Sequence, residues 1–199
     1  CILNSDGRFK KVLFDKDMIK SNRSFAITKL KTDIKIIDSF IANEEKNLII
    51  LTSIGRIFKF NLSNKFLSPN SKQSQGSMLI KLLPTEKIAS CCTYKNGENI
   101  YLVSKRGTIF CINSDEIFCS NEYSLGYLNE KTQLKNDYFL KIMASNHYLD
   151  IETSKNKSAR LDLNKLNFKS NKSNFLIDFL KLDNDEYLEN CFRLEKFID

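Results

Sequence analysis

The sequence predicts an all-β protein, a propeller-like array of about four four-stranded blades of roughly fifty residues each. Two sequence markers recur along the chain with that period, and short runs of β-branched and aromatic residues lie between them. No long helical periodicity competes, and the segment "SDEIFCSNEYSLGYL" has room for one short helical turn at most.

The first marker is a glycine turn that leads into a strand. It reads "SDGRFKKV" at Ser5–Val12, "TSIGRIFKF" at Thr52–Phe60 and "GTIFCI" from Gly107, with the glycines 48 and 52 residues apart. A degenerate fourth copy, "TSKNKSARL" at Thr153–Leu161, places Asn156 at the glycine position 49 residues further on. Asn is among the few side chains that tolerate positive φ, so a left-handed turn stays available there.

The second marker is Leu, any residue, Thr or Asn, then an acid. It reads "LKTD" from Leu30, "LPTE" from Leu83, "LKND" from Leu134 and "LDND" from Leu182, at intervals of 53, 51 and 48. These polar side chains can bond nearby backbone donors and close a tight turn, so the marker is read as structural. In the second unit the predicted strands are "NLIILTS", "RIFKFNL", "SMLIKLL" and "KIASCCTY", separated by Ile54-Gly55, the loop "SPNSKQSQG" and "PTE". The expected organisation is a single repeat domain with blades at 1-47, 48-98, 99-147 and 148-199. The chain opens inside an apparent strand, "CILN", without an initiator Met, and reads as a fragment of a longer subunit.

At 199 residues, 42% hydrophobic and 28% charged, the chain has an ordinary globular composition and enough length for a sizeable core. Its net charge of +7 is uneven. Residues 1–112 hold 19 Lys/Arg against 9 Asp/Glu, or +10, and residues 113–199 hold 12 against 15, or −3. A basic surface in the first half suits a polyanion such as nucleic acid. Part of the lysine content has a bland source, because 21 Asn together with abundant Lys, Ile and Phe follow from an AT-rich coding sequence.

Six cysteines (Cys1, Cys91, Cys92, Cys111, Cys119 and Cys191) form no Cys-x-x-Cys pair, and His147 is the single histidine. The short paired spacings of a zinc site are absent, so the cysteines read as buried free thiols, as in a reducing cytoplasm. Adjacent Cys91 and Cys92 should point to opposite faces of a strand. His147 is expected to cap or fill a loop and is assigned no chemistry. No signal-peptide pattern is present, and no apolar run approaches the ~18 residues that a membrane span needs.

The stretches "LTSIGRIFKF", "SQGSMLIKLLPTEKIASCC" and "YLVSKRGTIFCINSDEI" resemble the C-terminal domain of the DNA gyrase A subunit, and that of the related topoisomerase IV subunit. The second unit matches the family repeat nearly throughout, the first and third match well, and the fourth matches loosely. The resemblance implies a β-pinwheel, a propeller-like ring whose basic rim binds and bends double-stranded DNA. As protein partners it implies the rest of the A-type subunit together with its ATPase partner. It also implies no cofactor in this domain, no membrane, and a cytoplasmic, nucleoid-associated location. The cleaving tyrosine and the ATPase belong to other parts of such an enzyme, and this chain has no Gly-x-x-x-x-Gly-Lys loop and no pattern marking a nucleophile.

Three departures from the family stand out. The glutamine, basic and paired-glycine box of the gyrase first blade is missing from the loops "IKSNRSFAI" and "PNSKQSQGSM". In the third unit Cys111-Ile112 replaces a usual basic pair, and the second half of the chain is acidic. Gyrase, topoisomerase IV and a divergent paralogue stay open as parents, and a degenerate pinwheel that binds a protein without wrapping DNA is the alternative function.

Candidate DNA-binding residues are Arg8, Lys10, Lys11, Arg56, Lys59, Lys105 and Arg106 from the first marker, with Lys29, Lys31, Lys72 and Lys81 from the second half of each unit. Strand alternation limits them, since Arg8 and Lys10 share one face of a regular strand while Phe9 and Lys11 share the other. Backbone binding of this kind needs cations along a path and no base-reading side chains. Duplex is favoured over single-stranded DNA because no aromatic-interleaved basic stretch offers a stacking platform.

Overall fold

Four β-hairpins recur along the chain, and the glycine marker is the turn of each. They join β1 (Ile2–Asn4) to β2 (Arg8–Lys10), β4 (Asn47–Thr52) to β5 (Arg56–Asn61), β8 (Asn99–Ser104) to β9 (Ile109–Asn113) and β12 (Tyr148–Thr153) to β13 (Ser158–Asp162). These elements belong to a computed structural model that describes residues 1–13, 26–41, 43–144, 148–168, 172–173 and 180–194. His147, expected in a loop, lies outside the described residues.

In each hairpin the N–H of Gly7, Gly55, Gly107 or Asn156 donates to the carbonyl three residues earlier, at 3.1, 3.0, 3.1 and 2.9 Å. The four residues take φ of 86°, 95°, 85° and 60°, the left-handed region in which Asn stands in for Gly. A hydroxyl fixes the turn in three repeats. Thr52 Oγ1 accepts from the Arg56 N–H at 3.1 Å, Ser104 Oγ from Thr108 at 3.0 Å and Thr153 Oγ1 from Lys157 at 3.2 Å. Gly55 is constrained twice, because a Cβ there would sit 2.8 Å from Cε2 of Phe139.

A longer strand completes each sheet on one side: β3 (Ile36–Ser39), β7 (Ile88–Tyr94), β11 (Phe139–Ala144) and β15 (Leu188–Leu194) pair with β1, β4, β8 and β12. On the other side come the two-residue strands β6 (Ser77–Met78), β10 (Tyr127–Leu128) and β14 (Lys172–Ser173), which pair with β2, β5 and β9. Each of these short strands follows the hairpin of the next repeat. The segment read from sequence as a strand of the second unit, "SMLIKLL", therefore completes the first sheet. Among the described residues the result is three four-stranded sheets and one three-stranded sheet.

The donated strand always docks at the same place. Ser77 pairs with Phe9, Tyr127 with Ile57 and Ser173 with Ile109, in each case the residue two after the turn glycine. Strands β3, β7, β11 and β15 pack one against the next, so the sheets converge at that edge, and β6, β10 and β14 lie at the outer edge.

The core is divided among three clusters, one in each gap between consecutive sheets. The pleat of β4 sends Leu48 and Ile50 into the first cluster and Ile49 and Leu51 into the second, which is why "LIIL" is apolar throughout. Strand β8 repeats this with Ile100 and Leu102 on one side and Tyr101 and Val103 on the other. Cys91 and Cys92 face opposite clusters, as their adjacency predicts. In β12 only Leu149 and Ile151 enter a cluster. The alternate positions are Asp150, held by Arg160, and Glu152, held by Asn190, so the outward face of the fourth sheet is polar.

All six cysteines are free; Cys91 and Cys191 are buried, while Cys119 is exposed, against the expectation of burial. Burial raises the Cys191 thiol to about 12, which leaves it inert at neutral pH. The predicted helical turn is a 3-10 turn at Ser114–Glu116, capped by Asn113. Among the described residues no helix is long and apolar enough to cross a membrane.

Candidate nucleic-acid interface

The hairpin and the second marker meet at one end of every sheet. Ser5, Ser53, Lys105 and Ser154 donate their N–H groups to the carbonyls of Lys35, Lys87, Tyr138 and Tyr187 at 2.8–2.9 Å. The acid of the second marker closes its own turn as expected at Glu86, whose Oε2 accepts from the Leu83 N–H at 2.8 Å. In the fourth repeat the closing acid is Glu186, one residue past the predicted Asp185, accepting from Asp183 at 3.2 Å. In the first repeat the equivalent turn runs from Lys31 to Ile34, with Asp33 left-handed at φ 71°, so Ile34 stands where the closing acid would be.

The same carboxylates take the first cation after the turn. Arg56 Nε donates to Glu86 Oε1 at 2.8 Å, its Nη2 reaches Glu86 Oε2, and two further bonds go to the carbonyls of Leu125 (2.6 Å) and Lys81 (2.9 Å). Burial pushes the Glu86 carboxyl up, but the bonds from Arg56, Leu83 and Thr52 outweigh it and hold it below its ordinary value. In the fourth repeat Lys157 Nζ meets Glu186 Oε2 at 2.7 Å and Thr153 Oγ1 meets Oε1 at 2.6 Å. Those two bonds hold Glu186 at about 2.

Four of the candidate DNA contacts are therefore interior. Lys10 is fully buried, at 0% exposure, with Nζ on the carbonyls of Ile27, Lys72 and Ser74, the latter two at 2.7 Å. Lys11 reaches across the first gap to the Leu62 carbonyl at 2.5 Å, and Lys59 across the second to the Ser114 carbonyl at 3.2 Å. Lys59 also lies 5.8 Å over the Tyr94 ring, and Arg56 lies 5.2 Å over Phe58. The correction has a physical cause. In β5, which has a neighbouring sheet on each face, alternation moves a cation from one gap to the next and not into water. In β2, Lys11 enters the first gap in the same way, whereas Lys10 on the opposite face is covered by the backbone of Ile27, Lys72 and Ser74. A buried ammonium is tolerated only where fixed acceptors replace its hydration, and backbone carbonyls do so here.

The remaining candidates differ. Arg8 is half-buried between Asp6 (3.3 Å) and the Gly76 carbonyl (3.3 Å). Lys29, Lys31, Lys72, Lys81, Lys105 and Arg106 are exposed. Lys105 Nζ lies 5.2 Å over the Tyr187 ring, and Arg106 Nη1 donates to the Asn184 carbonyl at 2.8 Å, so both also brace the third sheet against the fourth.

No protein-family model matches the chain. Among curated proteins, the DNA gyrase A subunit of Borreliella burgdorferi is 26% identical over 125 residues, which is 62% of this chain and 15% of that protein. A solved C-terminal domain of DNA topoisomerase IV aligns with a TM-score of 0.77 at 14% identity, covering 98% of this chain and 61% of its own. A DNA gyrase A C-terminal domain aligns at 0.64 and 24% identity over 82% of this chain and 54% of its own. The E. coli ParC C-terminal domain aligns at 0.62 and 14% identity over 96% of this chain and 76% of its own. The chain shares the fold of the gyrase A and topoisomerase IV C-terminal domains. It is a β-pinwheel, and it spans a small part of the gyrase subunit it matches.

The exposed cations Lys35, Lys87 and Lys135 lie beside the second-marker turns and outside the set that the sequence predicts. Lys35 and Lys87 each immediately precede the strand that follows the second-marker turn, and Tyr138 and Tyr187 take that place in the third and fourth repeats. The three lysines lie five, four and one residue after Leu30, Leu83 and Leu134, so no fixed spacing in the sequence points to them.

Proposed function

We propose that this pinwheel is the non-catalytic domain of a type IIA topoisomerase A-type subunit that binds and wraps duplex DNA, contributing to changes in DNA topology. The observation that carries the reading is that one chain shares sequence with a gyrase A protein and its fold with gyrase and topoisomerase IV C-terminal domains. Its proposed protein partners are the rest of its own subunit together with the ATPase subunit, and its proposed setting is the cytoplasm, on the nucleoid. The chemistry supports a backbone binder. Cations along a convex support release condensed counterions from the duplex, and that gain offsets the order of 1–6 kcal/mol needed to bend a 20–30 base-pair segment.

The test is titration of a labelled duplex of about 30 base pairs, followed by ligation of nicked circular DNA in the presence of the protein. Retention of duplex and a shift in linking number are expected. No binding overturns the reading, and binding without a linking shift removes wrapping from it.

A second reading, a protein-binding pinwheel, is favoured by one observation. The outer edge of the second sheet exposes Phe118, Tyr123, Leu125 and Leu128 with Glu122 among them and no cation from Phe118 to Leu128.

A further inference from the structure

Three sheets are completed by an outer segment of the following repeat, and these equivalent segments differ in charge. From the end of β5 to the end of β6, residues 62–78 hold two lysines and no acid. From the end of β13 to the end of β14, residues 163–173 hold three lysines and no acid. Between them, residues 114–128 complete the second sheet and hold three acids, Asp115, Glu116 and Glu122, with no Lys or Arg. In a chain of net charge +7 that reversal runs against the bulk composition.

The same segment exposes Phe118, Tyr123, Leu125 and Leu128, and the Phe118 ring stands edge-on to Tyr127 at 6.0 Å. Backbone bonds fix it in place. The Ser120 N–H donates to the Lys59 carbonyl at 2.7 Å, the Tyr123 N–H donates to the Leu79 carbonyl at 3.0 Å, and the Leu125 carbonyl accepts from Arg56 Nη1 at 2.6 Å. Tyr127 and Leu128 pair with Ile57 and Arg56 of β5. The side chains therefore stand on a built surface, and a ligand binding there has little of this chain to order. Asp115 is engaged by the Gly97 N–H at 3.2 Å, whereas Glu116 and Glu122 are exposed. Exposed Lys81, whose carbonyl shares Arg56 with that of Leu125, bounds the surface on the side of the first sheet.

We propose that residues 114–128 dock a cationic, apolar-bearing segment of a partner protein, its apolar side chains against Phe118, Tyr123, Leu125 and Leu128 and its cations on Glu116 and Glu122. The proposal rests on the protein-binding reading above, for which it names the chemistry of the partner, and it is independent of duplex binding. Surfaces that bind proteins are enriched in aromatic side chains and depleted of lysine, as this one is. Its carboxylates select a cationic segment by complementarity and steer its approach.

Cys119, exposed within the surface, serves as a native reporter, because a docked segment slows its alkylation by iodoacetamide, read by mass spectrometry. The protein is titrated with three model peptides of one length, alternating leucine with lysine, leucine with glutamate, and serine with lysine. The proposal expects the leucine–lysine peptide to protect Cys119, with at least about tenfold weaker binding by the serine–lysine peptide and by the variant Phe118→Ser/Leu125→Ser. Glu116→Lys/Glu122→Lys should lose a similar factor at low salt, while Glu44→Lys/Glu45→Lys, in the β3–β4 connection, should stay close to wild type. Protection by the leucine–glutamate peptide, or protection indifferent to charge reversal at Glu116 and Glu122, overturns the cationic chemistry and leaves the protein-binding reading standing. Peptide binding that leaves Cys119 unprotected, or that falls equally in the Glu44/Glu45 variant, overturns the site. If none of the three peptides binds, the site is overturned and the protein-binding reading loses the surface that carries it. Circular dichroism and urea melts verify that the variants fold, and Glu116→Gln/Glu122→Gln must show a smaller loss in the same direction as the Lys variant.

Discussion

Glu86 and Glu186 each tie a hairpin to a neighbouring turn through one carboxylate, and this is where single substitutions should act most strongly. Glu86→Gln leaves the buried Arg56 guanidinium without its counter-charge, an arrangement that costs about 3–5 kcal/mol. Urea denaturation should show that loss, while Arg56→Met with Glu86→Leu should recover most of it, because an apolar pair of similar volume is tolerated in a buried site. Glu186 adds a pH dependence. Its folded value near 2 lies below the roughly 4.3 of an unfolded glutamate, so its contribution is complete above about pH 4.3 and is lost as pH falls toward 2. The urea midpoint of Glu186→Gln should accordingly fall less than that of the wild type across that acid window. At the turn itself, Asn156→Gly should be neutral or mildly stabilising. Gly55→Val should destabilise by more than about 1 kcal/mol, because it forces a β-branched residue to φ 95° and drives Cβ into Phe139.

At the scale of strands and sheets, sequence proximity and structural membership part company. Gly126 belongs to the third repeat, yet a Cβ on it would fall 2.7 Å from the Phe58 ring of the second sheet. Gly126→Val should therefore speed amide hydrogen exchange in β5 while leaving β8 and β9 as slow as in the wild type. A domain whose repeats kept their own strands would show the reverse. The hairpins were legible in the sequence because a turn is local, and Gly7, Gly55, Gly107 and Asn156 state its backbone requirement directly. The sheet to which Ser77–Met78 would pair was not legible, since a repeat period is the same whether a strand stays in its copy or crosses to the preceding one. Nor was the burial of Lys10, Lys11, Arg56 and Lys59. Alternation predicts two faces of a strand, but only what packs on them decides that both are interior. That is a sheet on each face of β5, and a sheet on one face of β2 with the backbone of Ile27, Lys72 and Ser74 on the other. Lys11 and Lys59 show the consequence, each bonding a carbonyl of the next sheet. Where that device is absent, Cys111 takes the same position in the third sheet and packs on the third cluster.

For the whole molecule, the excess positive charge of the first half is divided between interior fasteners and exposed cations. Counting every lysine and arginine as a DNA contact would overstate the phosphates neutralised, because the buried cations displace no counterions. The fourth sheet differs from the others in having a polar outward face and internally paired cations, so DNA affinity should depend little on it. Reversing Arg160, which Asp150 holds at 2.8 and 2.9 Å, should change duplex affinity by less than the standard scatter of a titration. The most direct measurement is the dependence of duplex affinity on salt for the intact chain. Phosphate binding by exposed lysines and arginines predicts that log affinity falls linearly and steeply with log salt. Affinity that is flat with salt would contradict the account.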